Sequence, residues 1–215
     1  MAVSGSTSSR RQGRRDRELA GRRVDAIEGA AAVFASKGFH DAQMTEIAAA
    51  AELSLASLYS MFKGKEELYA EVMRTAVDRM RKSVLDAVAD IDDPAETLLA
   101  LIDAIFECFE AMHDLTTLVM STTQGLPWRF REQLGEQGRE SNRPFMGWMV
   151  GLARDAQRQG YLEGIDPEVF ARTLIGSISI TAAASVREQP NQPFTRGAPS
   201  IRAIFERVLR PAARA

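Results

Sequence analysis

The order of helix patterns and breaks in residues 22–68 constrains the fold of this chain more than any other sequence feature. The first pattern is an amphipathic helix whose apolar residues share one face at spacings i, i+3, i+4 and i+7. These residues are Ile27, Ala30, Ala31 and Phe34. Gly38 follows and is a good residue to end this helix, because glycine enters the left-handed backbone region freely.

Two shorter helix patterns follow the glycine. The second helix has an apolar face formed by Met44, Ile47 and Ala48, and the third has one formed by Leu58, Met61 and Phe62. Glu52 and Leu53 occupy the turn between them, and Ser54 is placed to cap the third helix with its hydroxyl. A long fourth helix is predicted from about Lys65 to Ala89. This order is typical of a helix-turn-helix DNA-binding domain, which we assign to residues 22–68.

The same segment resembles the DNA-binding domain of the TetR family of bacterial transcription regulators over roughly residues 20–70. The residues that carry the resemblance are Ile47, Ala48, Ala50, Ala51, Ser54, Leu58, Tyr59, Phe62, Lys65, Glu66 and Leu68. The chain departs from the family pattern at four positions. Thr45 and Glu52 stand where arginine and glycine are common, and Leu55 and Met61 stand where a polar or basic residue and a histidine are common, respectively. The resemblance implies a DNA-binding homodimer with a helical ligand-binding domain.

Charge is distributed unevenly around this domain. Residues 24–62 hold one basic residue, Lys37, against five acidic ones, whereas residues 10–23 hold seven arginines against two acidic residues. Because phosphate neutralisation dominates DNA affinity, we expect residues 1–21 to form a disordered basic arm that contributes phosphate contacts. A solvated tail without a role in binding is the alternative. The predicted DNA-binding residues are Arg14, Arg15, Arg22, Arg23, Gln43, Thr45, Ser54, Leu55, Ser57, Tyr59, Ser60, Lys63 and Lys65.

Residues 69–215 continue as helices, so we predict an all-α protein of about nine helices with a C-terminal ligand-binding and dimerisation domain. Aromatic and methionine side chains in this domain suit a mainly apolar small molecule, although such residues also form ordinary protein cores. The predicted ligand-binding residues are Ile102, Phe106, Phe109, Met112, His113, Met120, Trp128, Met146, Trp148 and Met149. The long fourth helix is the expected lever between ligand and DNA.

Small residues from Gly176 to Ser185 allow helices to approach closely. The resemblance to the TetR family implies dimerisation near this position. We therefore predict a homodimer formed by this helix and the last one, with packing inside one chain as the alternative. The predicted dimer residues are Phe170, Leu174, Ile178, Ala182, Ile201, Phe205 and Val208.

Other sites are not indicated. The single cysteine, Cys108, excludes an intrachain disulfide, and Glu110 with His113 matches only half of a di-metal helix motif. We expect no enzyme activity, metal or cofactor, no membrane-spanning segment and a cytoplasmic location. The predicted function is a repressor released from a palindromic operator by a small apolar effector. The alternatives are an activator, or a dimeric ligand-binding protein that has lost DNA affinity.

Overall fold

The computed structural model describes residues 5–126, 129 and 135–209, and it describes side chains at 13–126, 129 and 143–209. The regular elements in these ranges are all helices, which confirms the all-α prediction. They are α1 (Gly5–Asp41), α2 (Met44–Ala50), α3 (Leu55–Met61), α4 (Lys65–Ala87), α5 (Pro94–Ala111), α6 (His113–Thr123), α7 (Gly135–Arg158), α8 (Pro167–Glu188), a 3-10 helix (Phe194–Gly197) and α9 (Ala198–Val208). The chain divides into two compact units, Met1–Val72 and Met73–Ala215, here called unit 1 and unit 2.

Unit 1 is built around the apolar face of α1. Ala26, Ala30 and Phe34 are fully buried there, together with Ile47 of α2 and Leu58 of α3. The i, i+4 and i+8 spacing puts the three α1 residues on one side of the helix, against which the two short helices bury their own apolar residues. Packing of this kind, more than intrinsic propensity, stabilises helices of only seven residues such as α2 and α3.

The N-terminal arm is helical, which corrects the predicted disorder of residues 1–21 over the part that is described. α1 begins at Gly5 and continues to a kink at Gly38, whose φ of 77° lies in the region that favours glycine. Arginine, glutamate, leucine and alanine are good helix formers, and Arg14 lies 3.0 Å from Glu18 one turn later. The polar N-terminal segment is therefore helical as a continuation of the packed part of α1.

Unit 2 is built around α5, which is apolar on most of its circumference. Leu98, Leu101, Ile102 and Ile105 are fully buried, and α5 packs against α7, α9 and the 3-10 helix. Asp93 caps its first turn by accepting hydrogen bonds from the backbone N–H groups of residues 95 and 96 at 2.8 and 2.9 Å. Asp166 caps α8 in the same way, at 2.8 and 3.0 Å, which fits the predicted start of that helix at Asp166-Pro167.

Helix α8 is long and apolar, although no membrane-spanning segment is predicted from the sequence. Its most apolar 18 residues have a mean hydropathy of 1.5, so it has the length and composition of a membrane-spanning helix, and 28% of that window is buried inside the chain. Core helices of proteins that enter no membrane meet the same criterion. Phe170, Leu174 and Ile178 of α8 do lie in the core of unit 2, so the apolar composition has a packing role.

Candidate nucleic-acid interface

The turn between α2 and α3 is held in a fixed geometry. Glu52 has a φ of 55°, a left-handed conformation in a residue that is not glycine. Gly29 of α1 lies so close to this turn that an added Cβ would be 2.7 Å from the backbone nitrogen of Ala51. Ser54 caps α3, since its Oγ accepts a hydrogen bond from the Ser57 N–H at 3.1 Å. The turn and the caps together fix how α3 is presented at the surface of unit 1.

The two sides of α3 differ sharply. Leu58 is fully buried, whereas Leu55 and Tyr59 are 38% and 51% exposed. Ala56 and Ser60 are also exposed, and Ser57 is half-buried. Of the predicted DNA-binding residues of this helix, Leu55, Tyr59 and Ser60 therefore lie together on its outer side, and Ser57 does not. This is the arrangement that a recognition helix needs to place side chains in a major groove.

Helix α2 contributes exposed polar residues and an internal ion pair. Gln43 and Thr45 are exposed, as expected for side chains that reach DNA. Glu46 accepts a hydrogen bond from the Gln43 N–H at 3.2 Å and lies 2.6 Å from the ammonium of Lys37. The hydrogen bond from Lys37 lowers the pKa of Glu46. The one basic residue of residues 24–62 is therefore paired with a carboxylate, which weakens its contribution to a DNA-binding surface.

Lys65, predicted to contact phosphate, is bound to the end of α1. Its Nζ donates hydrogen bonds to the carbonyl oxygens of His40 at 2.8 Å and Ala42 at 3.0 Å, and it lies 4.8 Å from the ring centre of Phe39. An ammonium group has three N–H donors, so one remains for a phosphate oxygen. The fixed position of Lys65 is compatible with a positioning contact to DNA.

Arg23, also predicted to contact DNA, is engaged inside unit 1. Its guanidinium donates to the carbonyl oxygen of Met61 at 3.3 Å, lies 3.1 Å from the Glu71 carboxylate and covers the Phe62 ring at 4.4 Å. The structure thus gives Arg23 a packing role between the middle of α1, the end of α3 and the first turns of α4. By contrast, the remaining predicted basic residues, Arg14, Arg15, Arg22 and Lys63, are exposed.

The predicted ligand-binding residues fall into three groups. Ile102, Phe106, Phe109, Met120 and Met149 are buried, and Met112, Met146 and Trp148 are half-buried. His113 is exposed, with its ring 5.2 Å from that of Phe194, and Trp128 lies outside the described residues. The buried residues form part of one apolar core of unit 2.

Phe194 is a core residue that the sequence analysis missed. It is 2% exposed, and its ring meets the ring of Phe109 edge-on at 6.2 Å. Its backbone N–H donates to the Glu110 carboxylate at 2.6 Å, which ties the loop before α9 to the end of α5. A phenylalanine between two proline-containing stretches was the available signal, because an apolar ring rarely serves a solvated loop.

Most of the predicted dimer residues are buried within the chain itself, as expected from the alternative of packing inside one chain. Six of them are at most 7% exposed, namely Phe170, Leu174, Ile178, Ala182, Ile201 and Phe205, and Val208 is half-buried. Their i, i+4 spacing on α8 marks the side that faces the core. The large apolar residues that α8 and α9 leave exposed are Val169, Ile180 and Ile204, at 56%, 55% and 55%. Any dimer surface on these helices must use that outer side.

Comparisons with known proteins agree with this architecture. The family model for "Bacterial regulatory proteins, tetR family" matches residues 26–72. The transcriptional repressor KstR2 of Mycobacterium tuberculosis is 30% identical over 176 residues, which are 81% of this chain and 84% of that protein.

Solved structures show the same fold. The fatty acid degradation regulator FadR from Bacillus halodurans has a TM-score of 0.74 at 19% identity and covers 88% of this chain and 97% of its own. FadR from Bacillus subtilis, solved in complex with stearoyl-CoA, has a TM-score of 0.71 at 19% identity and covers 85% and 96%. The helix-turn-helix geometry, the family match and the extended likeness to KstR2 lead to one conclusion: the chain belongs to the TetR family of bacterial transcriptional regulators.

Proposed function

We propose that this protein is a homodimeric repressor that occupies a near-palindromic DNA operator and leaves it when an acyl-coenzyme A thioester binds to unit 2. The observation that carries the proposal is the exposed side of α3, with Leu55 and Tyr59 outward and Leu58 buried, in a chain 30% identical to a repressor over most of its length. Operator DNA is an intracellular ligand, so the proposed location is the cytoplasm.

The outer side of α8 supports the homodimer. Val169 and Ile180 lie three turns apart on one face of the helix, since eleven residues make almost a whole number of turns. Ile204 presents a third exposed apolar side chain on α9. Exposed apolar side chains along two helices would be covered by association with a second copy, and two-fold symmetry places two identical recognition helices on successive major grooves.

The interior of unit 2 supports an apolar effector. The rings of Phe106, Phe109 and Phe194 meet edge-on in a chain, with centres 6.2 Å apart at each step. Aromatic and methionine side chains can adjust to an inserted alkyl chain. The complex of Bacillus subtilis FadR with stearoyl-CoA supplies the chemical class, an acyl thioester of coenzyme A. The relevant chain length is the quantity to be measured.

Release from DNA requires that the effector distinguish two conformations, because equal affinity for both shifts no equilibrium. Helix α4 extends from Lys65 to Ala87 and therefore contributes residues to both units. We assign it the role of lever, as the sequence analysis does. A coupling free energy of about 1–3 kcal/mol would change operator affinity by roughly 5–150-fold.

The test is a gel-shift titration of the full-length protein against the DNA upstream of its own gene, repeated with acyl-CoA thioesters of two to eighteen carbons. We expect a retarded complex that an acyl-CoA dissociates, whereas free coenzyme A leaves it intact. A complex unaffected by every thioester would contradict the effector class. Reporter expression in cells separates repression from activation.

The second candidate function is ligand binding without DNA binding. It is favoured by the pairing of Lys37 with Glu46 and by the acidic charge of residues 24–62. Failure to bind any DNA, with retained acyl-CoA binding by equilibrium dialysis, would establish this candidate over the repressor.

A further inference from the structure

The outer side of α3 is unusually poor in hydrogen-bonding side chains for a surface that selects a DNA sequence. Leu55 and Tyr59 are 38% and 51% exposed, and Ala56 is exposed beside them. These three residues fall within about 100° around the helix axis, because successive residues are rotated by about 100°. Residues 54–62 contain no arginine, lysine, asparagine, glutamine, aspartate or glutamate. The side chains that make two hydrogen bonds to one base edge are therefore absent from this stretch of sequence.

The hydroxyl groups on this helix are partly committed to its own backbone. Ser54 Oγ accepts a hydrogen bond from the Ser57 N–H at 3.1 Å, and Ser60 Oγ donates to the Ser57 carbonyl oxygen at 2.6 Å. Because the Ser60 hydroxyl hydrogen is used in this bond, the Ser60 side chain can only accept a hydrogen bond from DNA. Tyr59 ends in a single hydroxyl, which suits one phosphate oxygen better than a two-point contact to a base.

Apolar side chains can still distinguish bases in the major groove, because thymine alone carries a methyl group there. Leu55 is the first residue of α3, and the first residues of the second helix in a helix-turn-helix motif are those that contact base edges. We propose that the protein recognises its operator through thymine methyl groups, with Leu55 as the specificity-determining residue and Ala56 beside it. This inference rests on the proposed DNA-binding function and specifies the chemistry of the preferred half-site.

The experiment begins with a selection of bound sequences from a random double-stranded DNA library by the full-length protein. Each thymine of the selected half-site is then replaced by uracil, which removes the methyl group and keeps the base pair. Burial of one methyl group contributes a factor of about 4 in affinity. We expect a loss of about 4-fold at one or two thymines of each half-site, and about 16-fold when the symmetry-related positions are replaced together.

A double-mutant cycle assigns the contact to Leu55. In Leu55→Ala, the uracil substitution at the sensitive position should cost nothing further, because the side chain that contacted the methyl group is gone. Val24→Ala is the control, since Val24 is another exposed aliphatic residue of unit 1, at 45%, and lies outside the arginine-rich extension. On uracil substitution, the control variant should lose as much operator affinity as the unmodified protein does. Both variants alter exposed side chains, so equal thermal unfolding temperatures would verify that they remain folded.

The outcomes separate this inference from the proposed function. If the library yields no preferred sequence, sequence-specific DNA binding is wrong and the inference fails with it. If a preferred operator is found but uracil changes its affinity nowhere, DNA binding stands and recognition of methyl groups is wrong. If uracil lowers the operator affinity of Leu55→Ala as much as that of the unmodified protein, Leu55 is not the residue that contacts the methyl group.

Discussion

The guanidinium of Arg23 lies 3.1 Å from the carboxylate of Glu71 and covers the ring of Phe62 at 4.4 Å. Three stretches of unit 1 meet at this arginine: α1, the end of α3 and the first turns of α4. The side chain of Glu71 is only 16% exposed, so this pair is shielded from water more than an ordinary surface pair. Arg23 therefore stabilises the region that presents α3.

We expect Arg23→Ala to lower the free energy of unfolding by about 1–2 kcal/mol, from the lost cation–π contact, ion pair and hydrogen bond. The salt dependence of operator binding should stay unchanged, because Arg23 is not assigned to a phosphate. Urea denaturation and DNA titrations at several salt concentrations measure the two quantities.

Arg22→Ala is the matched control for this prediction, since Arg22 is exposed and adjacent in sequence. It should leave stability unaltered and reduce the log–log salt slope by about 0.9 if it contacts one phosphate. The reverse pattern, with a reduced slope in Arg23→Ala and normal stability, would return Arg23 to the DNA interface.

Glu52 supplies a second prediction, because its φ of 55° imposes strain on any residue with a side chain. Glycine would remove the strain of the left-handed conformation from the folded state, which is about 1–2 kcal/mol. It would also make the unfolded chain more flexible, which lowers stability by about 0.5–1 kcal/mol. Glu52→Gly should therefore stabilise the protein by about 0.5–1 kcal/mol. Glu52→Ala removes the same charge and keeps the strain, so equal stability of the two variants in urea denaturation would refute the strain argument. Both variants should bind DNA more tightly, since each loses a negative charge near the interface.

The helical N-terminal extension gives a third prediction. A deletion of the residues before Arg22 removes five arginines. Each lost phosphate contact should reduce the salt slope of operator binding by about 0.9. A full-length variant with Arg10, Arg11, Arg14, Arg15 and Arg17 changed to glutamine separates charge from helix length and should behave like the deletion. Unchanged affinity and slope in both variants would show that the extension is a tail without a role in binding.

The helix itself can be tested independently of DNA. A Cβ added at Gly13 or Gly21 would have no heavy atom within 4 Å, so alanine fits at both positions. Alanine is more favourable than glycine in a helix by about 1 kcal/mol. The double variant Gly13→Ala, Gly21→Ala should thus show a stronger helical signal in circular dichroism. The double variant Gly13→Pro, Gly21→Pro, which breaks a helix interior, should lower the signal, and an unchanged signal in both double variants would mean that residues 5–21 are not helical in solution.

The helix-turn-helix could be predicted from sequence because its spacing is local. Helical periodicity and the Ser54 cap depend on neighbours three or four residues apart, and the structure has the corresponding helices α1 to α3. The roles of Arg23 and Lys65 depend on partners 48 and 25 residues away, Glu71 and the His40 carbonyl oxygen. No local pattern contains that information, so the sequence predicts Arg23 as a DNA contact from charge, and Lys65 from charge and the family resemblance, without their packing partners.

The partner of the apolar stripe of α8 is not predictable from sequence for a related reason. Helical spacing finds the apolar side of a helix but does not tell whether that side meets its own chain or a second copy. Phe170, Leu174 and Ile178 meet their own chain, and the less regular apolar residues Val169 and Ile180 remain outside. For a helix that is apolar around most of its circumference, only the packed structure separates the two sides.

The outer side of α8 and α9 leads to a fourth prediction. Ile180→Asp combined with Ile204→Asp places two carboxylates on the proposed dimer surface, where burial of an unpaired charge is strongly unfavourable. Sedimentation should change from dimer to monomer, and operator affinity should fall because two linked half-sites become independent. Gln159→Asp adds a carboxylate at an exposed position in the turn after α7 and should keep the dimer. A double variant that still sediments as a dimer would move the interface elsewhere.

The last prediction concerns the effector. Phe106 is fully buried, and its ring lies edge-on to Phe109 at 6.2 Å. Phe106→Ala removes the ring at a cost of about 3–5 kcal/mol and opens space in the core of unit 2; Phe106→Leu is the milder change if the alanine variant does not fold. We expect the preferred acyl-CoA to become longer or bulkier, as measured by equilibrium dialysis over a series of chain lengths.

Phe34 is an equally buried phenylalanine of unit 1. Phe34→Leu should therefore reduce stability while leaving the chain-length preference unaltered, because it removes the same chemical group away from the proposed effector site. Identical preferences in Phe106→Leu, Phe34→Leu and the unmodified protein would show that Phe106 serves only as packing.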